Sequence, residues 1–238
     1  VTLFALAEMA GVKFDAHYHL TTVDPPELVK FIREKYPKVK RERPIKTMWQ
    51  LIRWQMFPPT RRTRYCCYYL KEGGGNPSSS DEGRRILTGI RWQESRKRKD
   101  RQMTEHCLKG HDRFFVHPII DWTSEDVWRF IEGRSIAYCS LYDQGFKRLG
   151  CVLCPYGSKK EMEMQRWPKI AAAYKRAIFR AWDLRIAAGR KSKFHDAEEL
   201  WQWWIGRDTS QIFAESKNQE VKNFRGVPPT DVPSIYPP

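Results

Sequence analysis

No apolar run in this chain approaches the eighteen or so residues that a membrane-crossing helix needs, and no signal-peptide pattern is present. Membrane insertion is therefore not expected. Acidic residues are in short supply, 28 Asp and Glu against 43 Lys and Arg, which leaves a net charge of +15. That balance favours polyanionic partners, nucleic acid or a multiply phosphorylated nucleotide, without choosing between them. There is no internal repeat. The one glycine cluster, Gly73-Gly74-Gly75-Asn76-Pro77-Ser78-Ser79-Ser80, lacks the spacing of a phosphate-binding fingerprint and reads as a connection. At 238 residues the chain suits one substantial domain with a helical appendage.

What the chain does have is a concentration of thiols. Six cysteines without a secretory pattern point to a reducing cytoplasm, where thiols bind metal or do chemistry. Arg148-Leu149-Gly150-Cys151-Val152-Leu153-Cys154-Pro155 places two thiols three positions apart on a tight loop whose exit Pro155 stiffens. Far upstream lies the adjacent pair Cys66-Cys67, and Cys139 is a fifth candidate. Neighbouring side chains such as Cys66 and Cys67 diverge and suit a single zinc ion poorly, whereas a multi-iron cluster offers separated corners. Zinc and unliganded thiols stay open as alternatives. His106, Cys107 and His111 form a weaker candidate metal group in a polar loop.

Along the chain, Leu3, Leu6 and Ala10 share a helical face that Gly11 ends, and Val12 to Ala16 alternates as a strand. In Thr21-Thr22-Val23-Asp24-Pro25-Pro26-Glu27, Asp24 is placed to cap a helix whose first turn takes the prolines. That loop lies at a strand's carboxyl end, where open α/β sheets hold their ligands. A helix is expected from about Met48 to Phe57, a strand over Arg85 to Ile90, and another apolar stretch over Phe114 to Asp121. The next helix has Thr123 at its cap and Asp126 at its third position. Lys159 to Arg190 reads as long helix divided at Pro168, and Glu198 to Trp204 as a shorter aromatic helix whose tryptophans belong to a core. The domain reading is residues 1–157 as an α/β domain that includes the cysteine loop, 158–226 as a helical region, and 227–238 as a proline-rich tail.

Several segments occur in the order of one family. They are the Asp24 loop, Tyr65-Cys66-Cys67, Thr88-Gly89-Ile90-Arg91 with Glu94-Ser95, Pro118-Ile119-Ile120-Asp121-Trp122, and Leu149 through Pro155. Together they resemble the phosphoadenosine phosphosulfate (PAPS) reductase family of adenine nucleotide alpha hydrolase-like proteins, nearest to its phage and bacterial cluster-bearing members. The resemblance implies an α/β fold, doubly wound with a mostly parallel sheet, and an adenine nucleotide (PAPS, APS or ATP) at the strand ends. It implies that Asp24 lies near that nucleotide, and that Gly89, Ile90, Arg91, Glu94, Ser95 and Arg96 form a nucleotide or sulfate motif. Cys66 or Cys67 with Cys151 and Cys154 matches the cluster ligands of adenylylsulfate-type reductases. Cys139 instead matches the sulfur-incorporating enzymes of DNA phosphorothioation.

The resemblance thus implies an enzyme of sulfonucleotide reduction or of nucleotide-dependent sulfur transfer, served by a sulfur or electron donor protein. An ATP-pyrophosphatase-type enzyme inserting sulfur into DNA or RNA is the alternative within the family. A basic nucleic-acid-binding module with structural zinc is the alternative outside it. The family's SGGKDS-like phosphate turn and its strand are absent, so the chain is expected to be an N-terminally truncated fragment that is inactive alone. The reductases' C-terminal cysteine motif has no counterpart after Cys154, which shifts the expectation toward sulfur transfer.

Overall fold

The computed structural model describes residues 1–72, 85–106 and 114–206. Cys107, His111, the whole Gly-Ser connection, residues 207–226 of the expected helical region and the proline-rich tail lie outside the described residues. The chain divides into two units that interleave in sequence. One joins Val1–Ile45 to the segment ending at Cys151, and the other joins Lys46–Glu72 to the segment beginning at Val152.

The first unit is mixed α/β. Its elements in chain order are α1 (Thr2–Met9), β1 (His17–His19), α2 (Pro26–Lys35) and β2 (Lys40–Glu42), then, after α3 and α4 of the other unit, β3 (Arg85–Leu87), β4 (Thr104–His106), β5 (Phe114–Val116) and α5 (Ser124–Gly133). β1 and β2 pair in parallel, with His17 opposite Lys40 and His19 opposite Glu42, so α2 is a crossover. A second sheet runs β3-β5-β4, parallel between β3 and β5 and antiparallel between β5 and β4. Around α2, Phe4 meets Phe14 and Tyr36 edge-on at 5.3 and 5.2 Å, and the Tyr36 hydroxyl donates to the Ala137 carbonyl at 2.9 Å. Val23, Ile120, Ile131 and Leu141 are buried in this unit.

Two local expectations are corrected. The strand lies at His17–His19 rather than over Val12 to Ala16: Val12 is half exposed, and the ladder to β2 begins only where Lys40 N–H donates to the Ala16 carbonyl. Asp24 does not cap α2. Pro25 and Pro26 have no N–H to offer it, and the helix starts at Pro26 without a side-chain cap. The expected cap of α5 forms as a reciprocal box: Thr123 Oγ1 accepts from Asp126 N–H at 3.1 Å and Asp126 Oδ2 accepts from Thr123 N–H at 2.9 Å.

The described part of the second unit is helical: α3 (Met48–Gln55), α4 (Tyr65–Leu70), α6 (Lys160–Arg166), α7 (Pro168–Ala187) and α8 (Ala197–Ile205). Pro168 does begin a new helix, at a position where its missing N–H costs nothing. Ala171, Tyr174, Ala177, Ile178 and Ala181 recur at three- and four-residue spacing on α7, and the small side chains let α3 lie close along it. Trp49 meets Tyr174 edge-on at 5.0 Å, and Tyr174 in turn meets Trp204 at 4.9 Å. Trp204 Nε1–H donates to the Pro59 carbonyl at 2.7 Å, which satisfies a buried indole. Trp201 and Trp204 are core residues as expected, while half-buried Trp203 packs on Phe194 at 5.0 Å.

Candidate active site

In the first unit the site is built on the loop that leaves β1. Thr22 takes a left-handed turn at φ 64°, which folds the loop back on itself. Asp24 consequently faces the strand it has just left: Oδ2 accepts from Thr21 N–H at 2.6 Å and Oδ1 from the Tyr18 hydroxyl at 3.0 Å. The Thr21 side chain, itself buried, meets Cys151 at 3.5 Å between Sγ and Oγ1. Burial, reinforced by Asp24 and then by the Cys151 and Cys139 thiols, pushes the Tyr18 hydroxyl far above the ordinary phenol range. A carboxylate, a neutral phenol and two thiols therefore share this corner. Burial also raises the Cys139 thiol, although the Leu141 N–H bonded to it works in the opposite sense.

The second candidate loop follows β3. Gly89 turns toward α1, where an added Cβ would stand 3.4 Å from Leu3 Cδ1. Ile90 is half-buried, and Ser95 is exposed on extended backbone between two short 3-10 turns, Trp92–Glu94 and Arg96–Arg98. Arg91 is partly committed within the protein: its guanidinium donates to Ser124 Oγ at 3.3 Å and lies 3.8 Å from Glu94. Glu94 also pairs with Arg98 and accepts from Arg91 N–H at 3.3 Å. Arg96 instead lines an open concavity of about 440 Å³ with Lys97, Lys99 and Asp100. Burial, with Arg148, Arg101 and Arg91 close by, lowers the Arg98 pKa, the mark of a crowded cationic surface. Such a surface suits an anion.

Two features of this unit were not singled out from sequence. Tyr18 is one. The other is a buried chain in which His117 Nδ1 meets Thr88 Oγ1 at 2.6 Å and Nε2 meets Glu105 Oε1 at 3.0 Å, with Arg101 beyond Glu105. It ties the residue that opens the β3 loop to β4. The available signal was a histidine inside an apolar strand segment, Phe115-Val116-His117-Pro118.

In the second unit Cys66 and Cys67 occupy the first turns of α4. The Cys66 side chain hydrogen-bonded to it holds the Cys67 thiol down at about 6, with Lys71 and Arg64 helping and burial opposing. In Cys151-Val152-Leu153-Cys154 the two central residues are fully buried, Leu153 has φ 55°, and its N–H donates to Glu163 Oε2 at 2.6 Å. Gly157 N–H closes the loop by donating to the Cys154 carbonyl at 2.7 Å. Lys160 lies near enough to Cys154 for a thiolate there to favour its charged form, although burial lowers its pKa overall.

None of the five described cysteines is in a disulfide, and among the described residues no three His, Cys, Asp or Glu side chains converge on one metal ion. Within the second unit, Lys71 and Arg64 lie beside Cys67, and Lys160 lies beside Cys154.

The chain is 34% identical over 84 residues to an adenosine 5'-phosphosulfate reductase of Neisseria meningitidis serogroup A, a match that covers 34% of each protein. It is 31% identical to a 37.8 kDa protein of Escherichia phage 186, over 50% of this chain and 38% of that one. An adenosine 5'-phosphosulfate reductase of Bacillus mycoides is 28% identical over 155 residues, 59% of this chain and 62% of the relative. The chain thus spans less than two thirds of the length of these relatives. A crystal structure of phosphoadenylyl-sulfate reductase from Candida auris superposes with a TM-score of 0.42 at 18% identity, over 63% of this chain and 75% of that one. The pattern of the phosphoadenosine phosphosulfate reductase domain matches residues 5–156, and the chain belongs to that family.

Proposed function

We propose that the chain binds an adenine nucleotide and a 4Fe-4S cluster and acts in sulfonucleotide reduction or in nucleotide-dependent sulfur transfer. Its α/β unit is read as part of a doubly wound, mostly parallel sheet that takes an adenine nucleotide, PAPS, APS or ATP, at the strand ends. The observation that carries this reading is the bonding of the β1 loop, through Thr21, both to Asp24 and to Cys151 of the Cys-x-x-Cys. It sets a thiol of the proposed cluster loop beside the proposed nucleotide loop.

In this reading Asp24 is held by two donors, so its charge has a fixed direction at the nucleotide. Tyr18 stays protonated and donates to that carboxylate. Arg91 holds the turn after β3 through Ser124 and Glu94, and Arg96 meets the anionic part of the substrate. Cys66 or Cys67 with Cys151 and Cys154, or a set that includes Cys139, would hold a 4Fe-4S cluster. When bound, that cluster supplies positive electrostatics beside the substrate anion or a route for sulfur or electrons. A sulfur or electron donor protein is the implied partner.

The alternative of sulfur insertion into DNA or RNA draws support from Cys139. It is buried, and like Cys151 it lies near enough to Tyr18 to raise that hydroxyl. Calorimetric titration of the chain with ATP, APS and PAPS tests the shared part of both readings. Saturable one-to-one binding of at least one nucleotide is expected. Failure of all three to bind would remove the nucleotide reading.

A further inference from the structure

The second unit carries exposed aromatic rings that neither the nucleotide nor the cluster reading uses. Trp54 on α3 and Tyr68 on α4 are 40% and 47% exposed. They are not isolated: Trp54 meets Tyr69 edge-on at 5.4 Å, and Tyr69 meets Tyr68 at 4.9 Å. Cations flank this ladder in space at one end and in sequence at the other. Lys46 Nζ lies 5.4 Å from the Trp54 ring, and Arg64 stands four residues before Tyr68, one helical turn away at the start of α4. Arg64 in turn covers Tyr156, itself 49% exposed, at 5.1 Å, and the Tyr156 hydroxyl donates to the Arg61 carbonyl at 2.9 Å.

A cluster of partly exposed aromatic rings marks a contact surface where scattered single rings do not. The charge selects the covering group. From Lys46 to Glu72 the segment holds Lys46, Arg53, Arg61, Arg62, Arg64 and Lys71 against one acid, Glu72. Aromatic planes that alternate with cations suit a ligand whose flat apolar groups alternate with phosphates. Duplex bases are already stacked and present only their edges, so rings of this kind have nothing to stack on there. We propose that the α3–α4 face of the second unit binds single-stranded nucleic acid, with Trp54 and Tyr68 stacking on unpaired bases and Lys46 and Arg64 meeting the flanking phosphates. This does not rest on the nucleotide or cluster reading.

The test uses the full chain and a fluorescent oligothymidylate about 20 nucleotides long, with a duplex of equal length and inorganic polyphosphate as competitors. The single strand should bind at least about tenfold more tightly than the duplex, with an affinity that falls as salt is raised. Trp54→Ala and Tyr68→Ala should each weaken it about tenfold, while Trp54→Phe and Tyr68→Phe, which keep a ring, should restore most of the loss. Arg64→Ala should flatten the salt dependence. Equal affinity for single strand, duplex and polyphosphate would reduce the face to a nonspecific cationic surface and overturn the proposal. So would aromatic variants that bind like the parent, or a parent that binds no oligonucleotide and is covered instead by an acidic donor protein.

Discussion

At Cys67 the local field has a consequence that titration reads directly. Its proton is lost near pH 6 in the folded chain, against an ordinary thiol value of 9.0, chiefly because the Cys66 side chain stabilises the thiolate. A group with a depressed folded pKa contributes stability that is complete above the unfolded value and is lost as pH falls through the folded one. Stability of the metal-free chain should therefore rise between about pH 6 and 9, and Cys67→Ser should flatten that rise. Alkylation by iodoacetamide should reach half its maximal rate at Cys67 near pH 6, with buried Cys139 reacting more slowly. A midpoint near 9 would contradict the assignment. The two arginines of the β3 loop should separate in the same spirit. Arg96→Ala should weaken nucleotide binding by roughly 1.5–3 kcal/mol, the range for a charged hydrogen bond, at unchanged stability. Arg91→Ala should lose both, because its guanidinium also holds Ser124 and Glu94. Unchanged nucleotide affinity in both variants would remove the clamp. The loop of Asp24 was legible as the one that leaves a strand, although Asp24 does not form the helix cap expected of it. Its partner Tyr18 was not, since their meeting depends on the left-handed turn at Thr22, which no propensity announces.

At the scale of elements, most of the helices, though not α4, were readable because their ends are written in local chemistry. Thr47 with Gln50 and Thr123 with Asp126 form reciprocal caps, and Pro168 starts α7. Thr123→Ala should lower stability by about 1 kcal/mol, seen as a shift in the denaturant midpoint at constant slope. The strands were harder. Each has three residues, too few for alternation to show, and β1 carries His17 and His19 paired to Glu42 in place of an apolar face. Pattern therefore put the first strand at Val12 to Ala16, where apolar residues do alternate but lie outside the ladder. The His117 chain was also hidden, because its partners Thr88 and Glu105 come from separate segments. His117→Ala would leave a hydroxyl and a carboxylate without this partner, and should cost about 1–3 kcal/mol of stability. Nucleotide affinity should fall as well if Thr88 sets the β3 loop. A fall in stability with intact affinity would make the chain purely structural.

For the whole molecule, sequence order and the sequence of folded units differ. Cys66 and Cys67 sit in a segment that joins the helical unit, although residues of the α/β unit flank it on both sides. The boundary between units falls within the Cys-x-x-Cys, immediately after Cys151. The central claim is that these dispersed thiols hold one 4Fe-4S cluster. Anaerobic reconstitution of single Ser variants at Cys66, Cys67, Cys139, Cys151 and Cys154, scored as iron and sulfide per chain, reads the ligand set directly. Loss at both tandem positions with a tolerant Cys139 supports the adenylylsulfate-type set, and loss at Cys139 with one tolerant tandem position supports the sulfur-incorporation type. In either case Cys151→Ser and Cys154→Ser should each lose the cluster, because both thiols lie on a loop fixed by buried Val152 and Leu153. Full iron and sulfide in both of those variants would contradict the account.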